Sequence, residues 1–465
     1  MRLVTDSPVH SSGSGDDFAA YLDAELDSGS SDSPSDQEVE AYDIEPDENA
    51  EDYDDHESER TKRLKVEVQD VLDPEGSTSP FVIEKNVEVS VGKDICTHPA
   101  SYQNMCIVCG KDLNFESGVS VGYIQQGLRL GNDEMVRIRK ADLKNLLHSK
   151  KLYLVLDLDH TLLNSTLLTK LTLEEEYLKG QTDSCQDIPK GSLFQLDSMP
   201  MMTKLRPFVH TFLKEASEMF EMYIYTMGDR AYALKMAKLL DPSGEYFNAK
   251  VISRDDGTQK HQKGLDVVLG DESAILILDD TESAWPMHKD NLILMDRYHF
   301  FASSCQQFGL KCKSLSQMNS DESEIEGVLS SVLRVLRQIH HMFFDELDGN
   351  LGNKDVRQVL KTVRNEILKG CNIVFSHVFS IKCQADKQPL WIMAEQLGAT
   401  CSKELDPSVT HVVSEDARTE KSRWAVKENK FLVYPRWIEA ANFLWQKQPE
   451  ENFPVARGTT DPQRG

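Results

Sequence analysis

Apolar residues recur along this chain in two rhythms. Unbroken apolar runs occupy Leu152–Leu156, 222–225, 274–278 and Leu292–Leu294, and another short strand is expected at 250–252. Runs of this kind predict strands buried on both faces, as in a mostly parallel sheet. Between them a helical rhythm takes over. Val136, Ile138, Leu143, Leu146 and Leu147 share a stripe over residues 135–150, and Phe208, Phe212 and Leu213 share a face of a helix opened by residues 204–207, with Pro207 near its first turn. Gly228 and Asp229 turn the chain into a helix reaching about Leu240, and a strongly periodic helix spans 324–344. Residues 166–203 show no core-like period and read as an insertion over the site, shaping access to it.

The pattern then repeats on a smaller scale. After a charged stretch at 355–369, expected as a helical linker, come a strand at 373–375, a helix at 390–397 closed by Gly398 and Ala399, and a strand at 411–413. A helix around Trp424, a strand at 431–434 and a last helix holding Trp437 complete the series. Upstream, Val66, Val68, Val71, Val82, Val87, Val89 and Val91 alternate loosely and predict short strands. The expected organisation is a tail at 1–65, a small β-type region at 66–134, an α/β catalytic domain at 135–345, the linker at 346–369, a second α/β domain at 370–455 and a tail at 456–465.

Composition changes the picture mainly at the N-terminus. The 465 residues carry a net charge of −26, and well over half of it lies before about Arg60, in a segment of Asp, Glu, Ser and Gly with few large apolar residues. Such a segment is expected to be disordered, either a solubilising tail or an acidic docking and phosphorylation segment. The folded remainder is only mildly acidic, so direct nucleic-acid binding is not expected. No targeting peptide or membrane-length apolar run is visible, and nine scattered cysteines fit a reducing compartment. Residues 61–65 (TKRLK) form a small basic cluster, a nuclear-import candidate or an incidental one.

The chemistry is concentrated where the strands end. The first run empties into Asp157-Leu158-Asp159-His160-Thr161, and alternation along an extended segment brings 157, 159 and 161 to one side. Thr226 follows the run at 222–225, and Asp279-Asp280 the run at 274–278. Polar residues gathered at the carboxyl edge of an open sheet mark a ligand site. One carboxylate can attack phosphorus, a second can protonate the leaving oxygen and later activate water, and a divalent cation offsets the crowded charge. Asp157, Asp159, Asp279 and Asp280 are therefore the expected metal ligands, Asp280 through water. Their all-oxygen donors favour Mg2+, with Mn2+ or Co2+ as substitutes.

A second metal candidate lies upstream. Cys96-Thr97-His98 and Cys106-Ile107-Val108-Cys109-Gly110 offer four zinc ligands, with Gly110 permitting a tight turn; free structural cysteines beside a surface histidine are the alternative.

The string DLDHTLLNS resembles the DxDxT signature of the haloacid-dehalogenase superfamily. More narrowly, LDLDHTL followed by KLRPFVHTFL and YIYTMGDRAYA resembles the phosphatases that act on the carboxy-terminal domain of the large subunit of RNA polymerase II, in the branch carrying a BRCT domain and including plant members. The resemblance covers most of the chain after about Cys96. It implies a haloacid-dehalogenase-like parallel sheet with helices on both faces, followed by a BRCT α/β domain with Trp437 buried in its last helix. Asp157 would be the nucleophile and Asp159 the general acid and base, while Thr226 and Lys263 would hold the phosphoryl group, with Lys260 the rival lysine. Thr161, Arg206 and Arg254 would bind substrate. The implied protein is a nuclear, magnesium-dependent serine phosphatase of the polymerase tail, contacting general transcription factors through its BRCT domain or acidic tail. A phosphate pocket there would use Ser376 and Lys421, although His377 stands where a glycine would expose backbone N–H groups; plain protein docking is the alternative. Two other functions stay open at this level: a small-metabolite phosphatase of the same superfamily and a noncatalytic phosphoprotein-binding scaffold.

Overall fold

Four short strands open the structure, a computed structural model that describes residues 96–113, 118–183, 191–196, 199–346, 354–380 and 383–456. The expected acidic tail, the 61–65 cluster, the valine alternation at 66–91 and all but the first residue of the 456–465 tail lie outside the described residues. Strands β1 (Ala100–Tyr102), β2 (Met105–Cys106), β3 (Val119–Ser120) and β4 (Leu128–Leu130) make an antiparallel sheet in the order β2-β1-β4-β3. Helix α1 (Asn132–His148) follows and leads into β5 (Leu152–Leu156).

Every residue of β5 is buried, as its uninterrupted apolar sequence predicts. It is the middle strand of a five-stranded parallel sheet. The others are β9 (Phe220–Tyr225), β10 (Val251–Ile252), β11 (Ile275–Asp279) and β12 (Leu292–Leu294), in the order β10-β9-β5-β11-β12. The chain builds outward from β5 to β9 and β10, then returns to its other side with β11 and β12. That reversal creates a crevice beyond the carboxyl end of β5, the place where open α/β sheets bind ligands.

Between β5 and β9 the structure differs from expectation. The supposed insertion contains a three-stranded antiparallel sheet, β6 (Leu163–Leu167), β7 (Leu193–Gln195) and β8 (Met201–Leu205), in the order β6-β8-β7. All five residues of β6 are buried although three are Asn164, Ser165 and Thr166. Those side chains are satisfied internally: Ser165 Oγ lies 2.9 Å from Thr203 Oγ1, and Asn164 Oδ1 accepts the backbone N–H groups of Phe300 and Phe301. A polar strand in a polar hydrogen-bonded core carries no apolar alternation. Helix α2 (Val209–Ser217) begins after Phe208, which adopts a left-handed conformation with φ 72°, so Pro207 stands close to the first turn as expected, while Lys204 and Leu205 end β8 instead of opening the helix.

Helices α1, α2 and α3 (Arg230–Leu240) contribute buried faces to one large core with the parallel sheet. After α4 (Ala302–Gln307), helix α5 (Val328–His341) buries eight of its residues in or beside that core. It is shorter than the expected 324–344 and ends in a π-turn at Met342–Glu346. The expected linker is a third correction. Helix α6 (Val356–Asn365) buries Val356, Val359, Leu360 and Val363 in the core of the five-stranded sheet. Positions i, i+3, i+4 and i+7 give it one apolar face beneath its charged ones.

The last region forms a second parallel sheet from β13 (Asn372–Ser376), β14 (Thr400–Ser402), β15 (His411–Ser414) and β16 (Phe431–Val433), in the order β14-β13-β15-β16. Helices α7 (Pro389–Gln396), α8 (Glu420–Lys427) and α9 (Arg436–Leu444) complete it. Trp437 is fully buried, stacks on His411 at 4.6 Å and donates its indole N–H to Gln448 O. The described residues fall in one compact unit, and the joint between the two regions is close-packed. Leu444 and Trp445 belong to the core of the five-stranded sheet, Arg364 donates to Asn442, and Leu368 N–H bonds Leu397 O at 2.7 Å. Gly398, with φ 91°, sits against α6 so closely that a Cβ would meet Asn365 O at 1.8 Å. Among the described residues no helix is long and apolar enough to cross a membrane.

Candidate active site

The chain leaves β5 through a tight loop. Leu158 O accepts the N–H groups of Thr161, Leu162 and Leu163, and His160, at φ 64°, returns its N–H to Leu163 O. Asp157 N–H still bonds Leu278 O on β11 at 3.0 Å, so the first carboxylate is anchored to the sheet while the loop curls the next residues over its edge.

Asp157, Asp159, Thr226, Gly228, Lys263, Asp279 and Asp280 line one cleft, with His160, Met227, Thr281, Ala284 and Phe308 around them. Lys263, not Lys260, is the central cation. Its ammonium lies 2.6 Å from Asp157 Oδ1 and 2.7 Å from Asp279 Oδ2, whereas Lys260 is exposed to solvent. Burial opposes its charge, but the two carboxylates outweigh burial and push its pKa up. Asp279 is held further by Thr281 N–H at 2.8 Å and the indole N–H of Trp285 at 2.8 Å. Asp280 accepts from Arg297 at 2.5 Å and from the hydroxyls of Thr281 and Thr161 at 3.1 and 3.4 Å. Burial works against ionisation of Asp280, yet Arg297 holds its pKa below the ordinary value.

Burial pushes Asp157 and Asp279 upward, with Lys263 opposing in both cases. Asp159 rises to about 7, through burial, against a hydrogen bond from Tyr232 whose hydroxyl lies 2.5 Å from Asp159 Oδ1. A carboxyl at that level can both give and take a proton near neutral pH, as an acid-base group must. Ser165 lies 3.0 Å from the same Tyr232 hydroxyl, so β6 helps to fix the proton-transfer group.

Ligand atoms of Asp157, Asp279 and Asp280 lie within 4.8 Å of one another. Four buried or partly buried carboxylates here face two cations, Lys263 and Arg297, which leaves uncompensated negative charge in a low-dielectric cleft. An all-oxygen donor set with excess negative charge fits a hard divalent cation of the magnesium type. The Asp159 carboxylate turns to Tyr232 and is not among the atoms gathered here.

Arg206 departs from expectation. Its guanidinium is fully buried and donates to both oxygens of Glu322 at 2.7 and 2.9 Å, to Thr161 O at 3.0 Å, to His160 O at 3.4 Å and to Asp296 O at 2.9 Å. Five N–H groups with five acceptors leave no donor for a phosphate. Arg206 instead positions the loop after Asp157. Thr161 is buried behind Asp280, and Arg254 lies outside the cleft lining, its backbone N–H tied to Gly228 O. Tyr232, Trp285, Arg297 and Thr281 are site residues that sequence reasoning does not reach. Tyr232 and Trp285 occupy apolar-looking positions, and only their polar tips reach the acids.

In the C-terminal region Ser376 is buried, its Oγ 2.8 Å from Thr419 Oγ1, and His377 takes φ 57°, the left-handed conformation a glycine would supply. Lys421 Nζ lies 2.7 Å from Lys403 O.

Residues 152–318 match the family described as NLI interacting factor-like phosphatase, and residues 363–441 match the BRCA1 C Terminus (BRCT) domain. Over 456 residues, 97% of each chain, the sequence is 58% identical to the Arabidopsis thaliana protein named RNA polymerase II C-terminal domain phosphatase-like 4. Over 422 residues it is 29% identical to a Caenorhabditis elegans phosphatase named for the C-terminal domain of RNA polymerase II, covering 86% of this chain and 62% of that one. The solved structure of Fcp1, described as an essential RNA polymerase II CTD phosphatase, superposes with a TM-score of 0.54 at 24% identity. It covers 69% of this chain and 100% of its own, a likeness of fold.

Proposed function

Since this chain belongs to the family of RNA polymerase II C-terminal domain phosphatase-like proteins, we propose that it removes phosphate from serines in the heptad-repeat tail of that polymerase, in the nucleus, with Mg2+ as cofactor. The observation that carries the reading is the meeting of Asp157, Lys263 and Asp279 at the carboxyl end of the parallel sheet, with Asp159 beside them at a near-neutral pKa.

Asp157 attacks phosphorus, forming a bond from its carboxylate oxygen as the bond to the serine oxygen breaks. Asp159, protonated at the start, delivers its proton to that leaving oxygen. It then takes a proton from water as the water attacks the aspartyl-phosphate, which restores Asp157 and releases inorganic phosphate. Lys263 holds Asp157 in place and offers positive charge where the phosphoryl oxygens gather, and Thr226 lines the same wall. Asp157, Asp279 and Asp280 would hold a divalent ion, which would supply further neutralisation of negative charge in the cleft.

The BRCT domain is proposed to hold a phosphorylated segment of the tail or a transcription-factor partner. His377 already has the backbone conformation a phosphate loop requires, and Lys421 stands at the start of α8. An appended domain of this kind also argues against a small-metabolite substrate, and the assembled acids argue against a noncatalytic scaffold. The deciding assay offers purified protein and magnesium either a phosphorylated heptad peptide or a panel of phosphosugars. Preferential release of phosphate from the peptide is expected; turnover of the sugars alone would reject the proposal.

A further inference from the structure

We propose that Cys96, His98, Cys106 and Cys109 bind one structural zinc ion. Their ligand atoms lie within 4.8 Å of one another, in a segment well upstream of Asp157. Cys96 Sγ is 3.8 Å from Cys106 Sγ, and Cys109 Sγ is 3.4 Å from His98 Nδ1. A tetrahedral ion with Zn–S of about 2.3 Å and Zn–N of about 2.0 Å requires S–S edges of about 3.8 Å and S–N edges of about 3.5 Å.

The backbone is shaped for the same purpose. Gln103 and Asn104, with φ 47° and 69°, make the primed turn that folds β2 back on β1 and brings Cys106 to Cys96. The next turn closes through Gly110 N–H to Cys106 O at 2.9 Å, with Gly110 at φ 72°. Val108 N–H lies 3.4 Å from Cys106 Sγ, where it would share the charge of a thiolate.

Burial supplies the independent argument. Met105, Ile107 and Val108 are 56%, 58% and 66% exposed, so the turn sends its apolar side chains outward and its four metal-type ligands together. A turn held by hydrophobic packing would do the reverse. Ala100 and Leu130 tie β1 and β4 to the main core, but the two-residue strand β2 at the edge buries only Cys106, so this end of the sheet lacks apolar anchorage and needs a staple. A disulfide is the other available staple, but its sulfurs would sit about 2.05 Å apart and it would leave His98 without a role. The sheet so closed has Tyr123 at its far side, whose hydroxyl donates to Val267 O at 2.8 Å, just beyond the segment that presents Lys263.

The test is metal analysis of the full chain purified without chelator. One zinc per chain is expected, falling to none in the Cys106→Ser, Cys109→Ser variant. As a check that does not depend on a variant folding, cobalt exchanged into the wild-type protein should show the absorption bands of a tetrahedral thiolate site, and titrating the thiols with a mercurial should release the metal. Wild-type protein lacking zinc after exposure to excess zinc, full zinc retention in the double variant, or a Cys96–Cys106 disulfide in nonreducing mass spectrometry would each overturn the proposal.

Discussion

Arg206 and Glu322 face each other as a two-pronged ion pair, 2.7 and 2.9 Å, beneath the loop that carries the catalytic acids. The arginine side chain is fully buried and that of its partner 16% exposed. Removing one member of such a pair leaves an uncompensated charge and costs about 3–5 kcal/mol. Arg206→Ala should therefore lower the melting temperature sharply, and Glu322→Gln should lower it less, with KM of the remaining folded enzyme nearly unchanged. A phosphate-binding role would give the opposite split, a raised KM at unchanged stability. Thermal melts together with steady-state kinetics separate the two.

Asp157→Asn should reduce turnover on the order of a thousandfold or more, since an amide keeps the shape but loses the nucleophile. The circular-dichroism spectrum should stay that of the wild type. Beryllium fluoride should inhibit the wild type, in which Asp157 can ligate it, and should fail to bind the variant. Activity near wild type in Asp157→Asn would remove the aspartyl-phosphate step.

Magnesium dependence should grade with distance from the acids. Trp285→Phe removes one hydrogen bond to Asp279 and should weaken the apparent magnesium affinity by roughly 10–100-fold, the usual effect of losing an outer partner. Asp279→Asn should exceed that. Titrating activity with magnesium for both variants checks the order, and equal effects would place Asp279 outside the metal site.

Glu439 on α9 carries a pH prediction. Burial raises its carboxyl to about 7 from an ordinary 4.5, with Asp296 adding to the rise and Arg436 opposing it. The folded state then binds a proton that the unfolded state has lost, so stability falls as pH climbs from about 4.5 through 7. Glu439→Gln should raise the melting temperature at pH 8 and leave it nearly unchanged at pH 4.5. Differential scanning fluorimetry across that range reads the difference.

The parallel sheet is legible in the sequence because each of its long strands is an apolar run ending in a polar residue, and Asp157, Thr226 and Asp279 sit where those runs stop. Lys263 and Lys260 cannot be separated by spacing; only folding shows one buried between two carboxylates and the other in solvent. Strand β6 escapes because its buried side chains satisfy one another with hydrogen bonds, which leave no mark in a hydropathy pattern. Arg206 misleads for a related reason: an arginine beside a proline in a phosphatase-like motif does not reveal which five acceptors surround it. The charged residues of α6 conceal a four-residue apolar stripe that is nonetheless present in the periodicity.

The placement of α6 also bears on how such a chain can be recombined. One face of this helix helps to wall the phosphatase core, and its end fits against Gly398 with no room for even a methyl group. A splice at the sequence boundary between the two regions would therefore cut through shared masonry. Grafting a foreign BRCT domain after Asn365 would need to reproduce the contact at Gly398 and the packing of Leu444 and Trp445, so the two regions form one cooperative piece and should melt as one.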